Sequence, residues 1–386
     1  MRIFILGTGA TGSLLAQVLT RHGHHVWCGD KDPARALRFL GKHATVPVKP
    51  VSARNVLSIA KAGRGCHLLV NCAPAQFNRT ALRAALRLNA HYLDMASHLS
   101  GNPFQVEQLQ FDRRLRNKHR TAVINAGVAP GLTNLLVARS ADALDRIESV
   151  QIRLYEQTES DEAVSQWSPD SSYDEAVSRP RIYRNGRFKL APRFSEREVF
   201  RFPPPIGPVG VVLAAQDEVC TLPRIIPMRS LDVKIGGNDF ERLRRWYRLG
   251  KLRKSRRVPS KHFPKTATPR QIAKLMRHGA LSHARFSMAV VIEGVKGERH
   301  ARLRWDVQVP TLHQLRRRGR FTSPIAWATA HLAALFIKHF PRELGGVHPP
   351  EGLPREVQQA VISGARAYGL RFAKRFTLLE PIEHED

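Results

Sequence analysis

The apolar run Ile3-Phe4-Ile5-Leu6 breaks into Gly7-Thr8-Gly9-Ala10-Thr11-Gly12, and the chain reopens at once as the helix-forming stretch Ser13-Leu14-Leu15-Ala16-Gln17-Val18-Leu19. In a Gly-x-Gly-x-x-Gly turn between strand and helix, the first glycine makes the tight bend and the second lets backbone approach a pyrophosphate. The third lets the helix lie close on the strand. The helix N-terminus then offers unpaired N–H groups and a positive dipole end to phosphate. His24-His25-Val26-Trp27-Cys28-Gly29-Asp30 reads as a second strand, ending in an acid eighteen residues after Gly12, where a ribose-binding carboxylate belongs. Strand, triplet, helix, strand and acid in that order predict a dinucleotide site built from Gly7, Gly9, Ala10, Thr11, Gly12 and Asp30. Asp30 suits the free 2′-hydroxyl of NAD, whereas Lys31 and Arg35 beside it suit the extra phosphate of NADP. Either cofactor is compatible with this stretch.

A chain of 386 residues exceeds one ordinary core and predicts more than one domain. Its 42% hydrophobic and 24% charged residues are those of a globular protein. The net charge of +30 is the unusual feature: nine cationic residues fall between Arg242 and Arg257, four more in Arg316-Arg317-Arg318-Gly319-Arg320, and the remainder are spread widely. Such a surface attracts anions, whether nucleic acid, acidic lipid or anionic metabolites, and says nothing about fold. Trp246-Tyr247 in the first run is similar to the aromatic interleaving of nucleic-acid binders, but the favoured reading is a solvated helix face with a buried aromatic edge. Cys28, Cys66, Cys72 and Cys220 lack Cys-x-x-Cys spacing and are expected to be free thiols. His22, His24 and His25 lack a spacing suited to tetrahedral ligation, so no metal is expected. No leader precedes the first strand, and the most apolar helix candidate, Ile325 to Phe340, is interrupted by His331 and too short to span a bilayer; a reducing cytoplasm is the expectation.

Along the chain, strand-like and helix-like segments alternate up to about residue 127, the pattern of a doubly wound parallel sheet. Cys66 to Pro74, His91 to Ala96 and Thr121 to Asn125 read as further strands, and Ala34 to Leu40 and Thr80 to Leu88 as helices. From Ser149 the grammar changes. Val150 to Tyr155, Leu231 to Ile235, Phe286 to Glu293 and Arg302 to Val309 alternate, as strands of a mixed sheet with one exposed face do. Helices return at Pro324 to His339 and Pro354 to Tyr368, and Lys251 to Lys265 reads as a mobile, solvated loop.

Several segments resemble the saccharopine dehydrogenase-like oxidoreductases. They are Gly7 to Gly12, Asn71-Cys72-Ala73-Pro74, Tyr92-Leu93-Asp94, Ala126 to Asn134, Gln216 to Arg224 and Gly345-Gly346-Val347-His348-Pro349-Pro350-Glu351, in the family's order. The resemblance implies an α/β fold: a Rossmann domain over residues 1–130 with a doubly wound parallel sheet, an inserted α+β substrate and dimerisation domain over 131–322, and a helical return over 323–386 packed on the first domain. It also implies NAD or NADP as cofactor, with Ala73, Pro74 and Gly127 added to the binding residues, a homodimer, and hydride transfer at a carbon–nitrogen bond. One departure stands out. Ala129 occupies a position where members acting on amino-acid-derived secondary amines often carry Asp.

Reduction of an imine needs a proton source near nitrogen, and the reverse direction needs a base. Asp94, at the end of a parallel strand, and His98, on the loop after it, lie where open α/β sheets place ligands and are the expected catalytic pair. Arg224 is the expected carboxylate clamp, and Thr133 and Asn134 the expected helix-capping substrate contacts. The net charge points to an anionic or carboxylate-bearing substrate and disfavours a polyamine, unless a local acidic pocket opposes the field. Two rival readings belong to other classes: a non-catalytic NAD(P)-binding sensor whose basic runs hold nucleic acid or an acidic partner, and a reductase attached to anionic membrane through Arg242 to Arg257.

Overall fold

The computed structural model describes residues 1–41, 45–98, 102–165, 168–251 and 264–381. The second half of the basic run, Arg253 to Arg257, and most of the expected loop at 251–265 lie outside the described residues.

The first half alternates strand and helix: β1 (Arg2–Leu6), α1 (Ala10–Arg21), β2 (His25–Asp30), α2 (Pro33–Leu40), β3 (Val48–Pro50), α3 (Val56–Ala62), β4 (Leu68–Asn71), α4 (Asn78–Leu88), β5 (His91–Asp94), α5 (Asp112–Arg116), β6 (Thr121–Val123) and α6 (Leu132–Ala141). Every side chain from Ile3 to Leu6 is essentially inaccessible, as a strand covered on both faces requires. Burial of each such large apolar side chain contributes about 1.5–3 kcal/mol, which is why this short run anchors the sheet.

The second half contains β7 (Arg146–Ser160), α7 (Pro169–Val177), β8 (Arg181–Arg184), β9 (Arg187–Leu190), β10 (Glu198–Phe202), β11 (Gly207–Leu213), α8 (Glu218–Ile225), β12 (Ser230–Gly236), α9 (Asn238–Arg248), α10 (Pro269–Arg277), β13 (Leu281–Lys296), β14 (Arg299–Gln308), α11 (Leu312–Arg317), α12 (Pro324–Lys338), β15 (Gly346–His348), α13 (Arg355–Ala365) and β16 (Arg371–Pro381).

A seven-stranded sheet runs β15-β6-β5-β4-β1-β2-β3, and its pairings are parallel. This is the doubly wound sheet, with its strand order reversing between β1 and β4. A nine-stranded sheet runs β10-β11-β12-β7-β13-β14-β16, with β8 and β9 attached beside β12. It is mixed: β12 pairs parallel with β7, and the long β13 pairs antiparallel with both β7 and β14.

The chain after residue 323 supplies more than helices. α12 packs on α1, and α13 on α12 and α6. β15 then adds a strand to the Rossmann sheet, through Gly346 to His348 against Thr121 to Val123, and β16 joins the second sheet beside β14. Three-residue strands carry too little periodicity to be seen in sequence. β16 was missed because charged residues interrupt its apolar ones. The described half of the basic run is α9, where Phe240 and Leu243 are buried and Trp246 is partly so. Its cations pair locally, Arg242 with Asp239 and Arg244 with Glu241, which fits a solvated helix face. Among the described residues no helix is long and apolar enough to cross a membrane.

Candidate active site at the strand ends

The glycine triplet does three different jobs. Gly7 has φ +91°, and a Cβ there would stand 2.5 Å from the Ala73 nitrogen, so only glycine lets the β1 turn lie against the Ala73-Pro74 segment. A Cβ on Gly12 would stand 2.0 Å from the Gly7 carbonyl oxygen, which fixes how closely α1 sits on the turn. A Cβ on Gly9 would meet nothing within 4 Å. The open space faces the N-terminus of α1, where Ser13 is bonded to the Gly9 carbonyl and the N–H groups of Ala10, Thr11 and Gly12 precede the helical ladder. Asp30 ends the neighbouring β2, its Oδ2 accepting from the Thr8 N–H at 2.8 Å and its Oδ1 from the Asp32 N–H at 3.0 Å. Those two bonds hold the carboxylate rigidly at the turn. Lys31 and Arg35 lie beyond it, Lys31 exposed and Arg35 stacked over Phe39. The arrangement fits a dinucleotide: an unobstructed backbone cradle, a helix dipole and an oriented acid.

The next strand ends carry a polar network. Asp94 is 1% exposed; its Oδ1 accepts the Asn125 N–H at 2.9 Å, and its Oδ2 the Gln108 amide at 3.0 Å. Burial pushes its carboxyl up to about 7. Gln108 also donates to the Ser97 hydroxyl, which donates to Asn125 Oδ1. Asn125 itself holds φ +55°, a conformation non-glycine residues rarely adopt and one that cannot be seen in sequence. His98 follows on the loop, its backbone N–H donating to the Glu107 carboxylate and its Nε2 3.8 Å from Asp174 of α7.

Carboxyl groups from distant parts of the chain converge here. Asp217, just before α8, accepts the Ser97 N–H at 2.8 Å and meets Arg181 at 3.4 Å. Glu218 accepts the Thr133 hydroxyl at 2.7 Å, and Glu351 accepts the Asn134 amide at 3.0 Å. Glu175 of α7 accepts the Gln216 amide, and Glu156 of β7 lies beside it. Burial is the leading cause that raises every one of these acids, Glu107 and Glu218 among them; repulsion from neighbouring carboxylates adds to it at Glu351, raised to about 7, at Glu175, raised to about 8, and at Asp217 and Glu156, both raised well upward. Four buried polar atoms of this network, Glu218 Oε2, Glu351 Oε1, Gln108 Oε1 and Asn125 Nδ2, have no hydrogen-bond partner. Such buried atoms are costly to leave without a partner.

The structure brings some of the expected site residues together and not others. Gly7, Gly9, Ala10, Thr11, Gly12, Asp30, Ala73 and Pro74 come together at the ends of β1, β2 and β4, and Asp94, His98 and Gly127 at the ends of β5 and β6. Thr133 and Asn134, expected to face substrate, are instead fully buried, bonded to Glu218 and Glu351. Asn134 also takes the Gly131 N–H at 2.9 Å, so that donor is occupied. Arg224 spends two of its N–H groups on the carbonyls of Cys220 and Phe104 and stacks over Phe188, which makes it an anchor for the loop at residue 104. Asp217, Glu218 and Glu351 lie in segments noted for their family likeness, but nothing local in sequence shows that they meet.

Residues 3–124 match the family described as the saccharopine dehydrogenase NADP binding domain. The first domain, over these residues, is similar to that of the saccharopine dehydrogenase-like oxidoreductases. The chain is an NAD(P)-dependent oxidoreductase, with NAD or NADP as cofactor. Its fold is that of a saccharopine dehydrogenase (L-Glu forming) from Saccharomyces cerevisiae, with a TM-score of 0.71 at 11% identity over 97% of this chain and 99% of that one. A DAP dehydrogenase from C. glutamicum, in complex with DAP, aligns at a TM-score of 0.46 and 10% identity over 93% of this chain and 95% of that one.

Proposed function

We propose that this saccharopine dehydrogenase-like protein transfers hydride at the carbon–nitrogen bond of an amine-bearing small molecule, with the ammonium group held by the carboxyl cluster at the strand ends. The observation that carries the reading is the convergence of Asp94, Glu107, Asp217, Glu218, Glu175 and Glu351 in a chain whose net charge is +30. The outer surface attracts anions, whereas the buried carboxyl cluster favours a cation beside it. A cation held among them offsets the burial that raises these acids, and lets them ionise. The local field therefore favours a substrate with a protonated amine, and a carboxylate elsewhere on that substrate remains compatible with the basic exterior.

The dinucleotide supplies the hydride donor or acceptor. The protein's own residues do the rest. The Gly9 cradle and the α1 N-terminus hold the pyrophosphate, and Asp30 orients the ribose at the β2 end. Asp217, Glu107 and Glu218 bind the ammonium and orient its carbon toward the dinucleotide. His98, backed by Asp174 and tied to Glu107 through its backbone, takes the nitrogen proton in the oxidative direction and returns it in the reductive one. Asp94 acts as a positioning residue, because both its oxygens are committed to Asn125 and Gln108.

The test is oxidation of a panel of diamines, amino acids, hydroxy acids and dicarboxylates with NAD and NADP, following nicotinamide reduction and carbonyl product together. Turnover of ammonium-bearing substrates, reduced about 10²–10⁴-fold by His98→Gln in a folded protein, is expected. Turnover confined to hydroxy acids, or unaffected by that substitution, contradicts the reading.

A further inference from the structure

Four cationic side chains and a histidine surround a cavity on the seam between α2, which covers the Rossmann sheet, and α10, which packs on β13 of the nine-stranded sheet. Its volume is about 470 Å³. Arg38 lines it from the last turn of α2, and Arg270, Lys274, Arg277 and His278 line it from α10 and its C-cap. Those four recur at i, i+4, i+7 and i+8, one stripe of the helix, opposite the buried Ile272, Leu275 and Met276. No acid lines the cavity, and none occurs in α10. Among the described residues Arg38, Arg270, Lys274 and Arg277 make no ion pair, whereas Arg242 and Arg244 of α9 are paired along their own helix. Thr268 and Gln271 complete the wall. Gln271 Oε1 accepts the Thr268 N–H at 2.9 Å and its hydroxyl at 2.8 Å, which leaves the Gln271 amide N–H groups as donors. The helix dipole accounts for Lys274 and Arg277 in the last turn of α10. It opposes Arg270 in the first turn, and Arg38 belongs to another helix. None of these residues belongs to the dinucleotide cradle, and Arg38 stands at the end of α2 away from Asp30.

We propose that this cavity binds a compact polyanion carrying two or more phosphate groups, either free in solution or on a lipid headgroup. The volume falls in the range of small-molecule sites, about 300–1,000 Å³. Cations on two walls reach one anion from opposite sides, an arrangement that suits a compact ligand better than a polymer tracked along a flat face. Arg38, Arg270 and Arg277 carry planar forks that give two N–H groups at once to phosphate oxygens, and Lys274 adds a point charge. Without an anion these like charges repel one another across the seam; a multivalent anion turns each repulsion into an attraction. Because α2 and α10 cover different sheets, the bound anion also ties the two parts of the molecule together at this seam.

The test is calorimetric titration of the full chain with sodium tripolyphosphate at physiological salt, with saturating NADH or NADPH filling the cradle. Saturable binding of one anion per chain is expected. Lys274→Glu and Arg38→Glu, one on each wall, each weaken it about tenfold or more, because each turns a charge-assisted contact into a repulsion. Arg83→Glu, on the exposed face of α4, changes the net charge equally and leaves the affinity within about twofold, since salt screens a distant surface charge. All three positions are exposed, so folding is retained, and circular dichroism verifies it. Sedimentation with phosphatidylcholine vesicles that carry phosphatidylinositol bisphosphate, lost in Lys274→Glu, assigns the anion to a lipid headgroup. Tripolyphosphate binding without vesicle binding assigns it to a free phosphate compound. No saturable binding, an equal loss with Arg83→Glu, or capture of a single-stranded oligonucleotide by a protein with no affinity for tripolyphosphate overturns the proposal.

Discussion

Two glycines three residues apart are predicted to fail in opposite ways. A Cβ on Gly12 stands 2.0 Å from the Gly7 carbonyl oxygen and 3.1 Å from the Cys72 Cβ, so Gly12→Ala forces α1 away from the turn. Overpacking against backbone costs about 1–3 kcal/mol, which for a chain of this size lowers Tm by about 1–4 °C. A Cβ on Gly9 meets nothing within 4 Å, and its φ of −82° is open to any residue, so Gly9→Val is expected to melt within about 0.5 kcal/mol of wild type. Its side chain instead fills the space in which the pyrophosphate approaches the helix end. Loss of two charge-assisted hydrogen bonds at about 1.5–3 kcal/mol each weakens dinucleotide binding by about 100-fold or more. The assay is paired: thermal unfolding with and without saturating NADH or NADPH, and titration of nicotinamide fluorescence. Wild type gains stability with ligand, and Gly9→Val melts normally but gains none. A Gly9→Val protein that binds as wild type does, or that melts as low as Gly12→Ala, refutes the assignment of the cradle.

Asp30→Ala, which removes the acceptor of the Thr8 and Asp32 N–H groups, is expected to weaken NADH by about tenfold and shift preference toward NADPH, measured as the ratio of the two Kd values. Thermal stability is expected to fall as pH rises from about 5 to 8. Asp94, Glu351 and Glu175 have folded pKa values of about 7, 7 and 8, above their unfolded values. The native state therefore holds extra protons, and that contribution is complete below about pH 4 and lost as pH passes through 7–8. Melting curves in buffers across that range check the sign, and a rising Tm contradicts it. Asn134→Ala leaves the Gly131 N–H and the Glu351 carboxyl without their partner in a buried site and is expected to cost about 2–4 kcal/mol by urea unfolding.

What sequence made legible was local. The run from Ile3 to Leu19 and the acid at Asp30 carry their own logic, because strand, turn and helix are neighbours in the chain and each glycine's task follows from its place in the turn. The alternation in β7, β12, β13 and β14 was visible for the same reason. The carboxyl cluster was not: Ser97 and Asp217 are 120 residues apart, and Asn134 and Glu351 217 apart, so only the packed fold reveals that they touch. Thr133 and Asn134 illustrate the cost. At a helix start they look like exposed caps, yet α6 is covered by α8 and α13, and their polar atoms turn inward to Glu218 and Glu351.

The most direct measurement is transfer of isotope from substrate to cofactor. Amines deuterated on the carbon bearing nitrogen are incubated with the protein and NAD or NADP, and the reduced nicotinamide is examined by mass spectrometry. Deuterium on the nicotinamide ring, released from the amine carbon in step with carbonyl product, is the predicted result. Deuterium arriving only from a hydroxyl-bearing carbon, with none from any amine, contradicts the account.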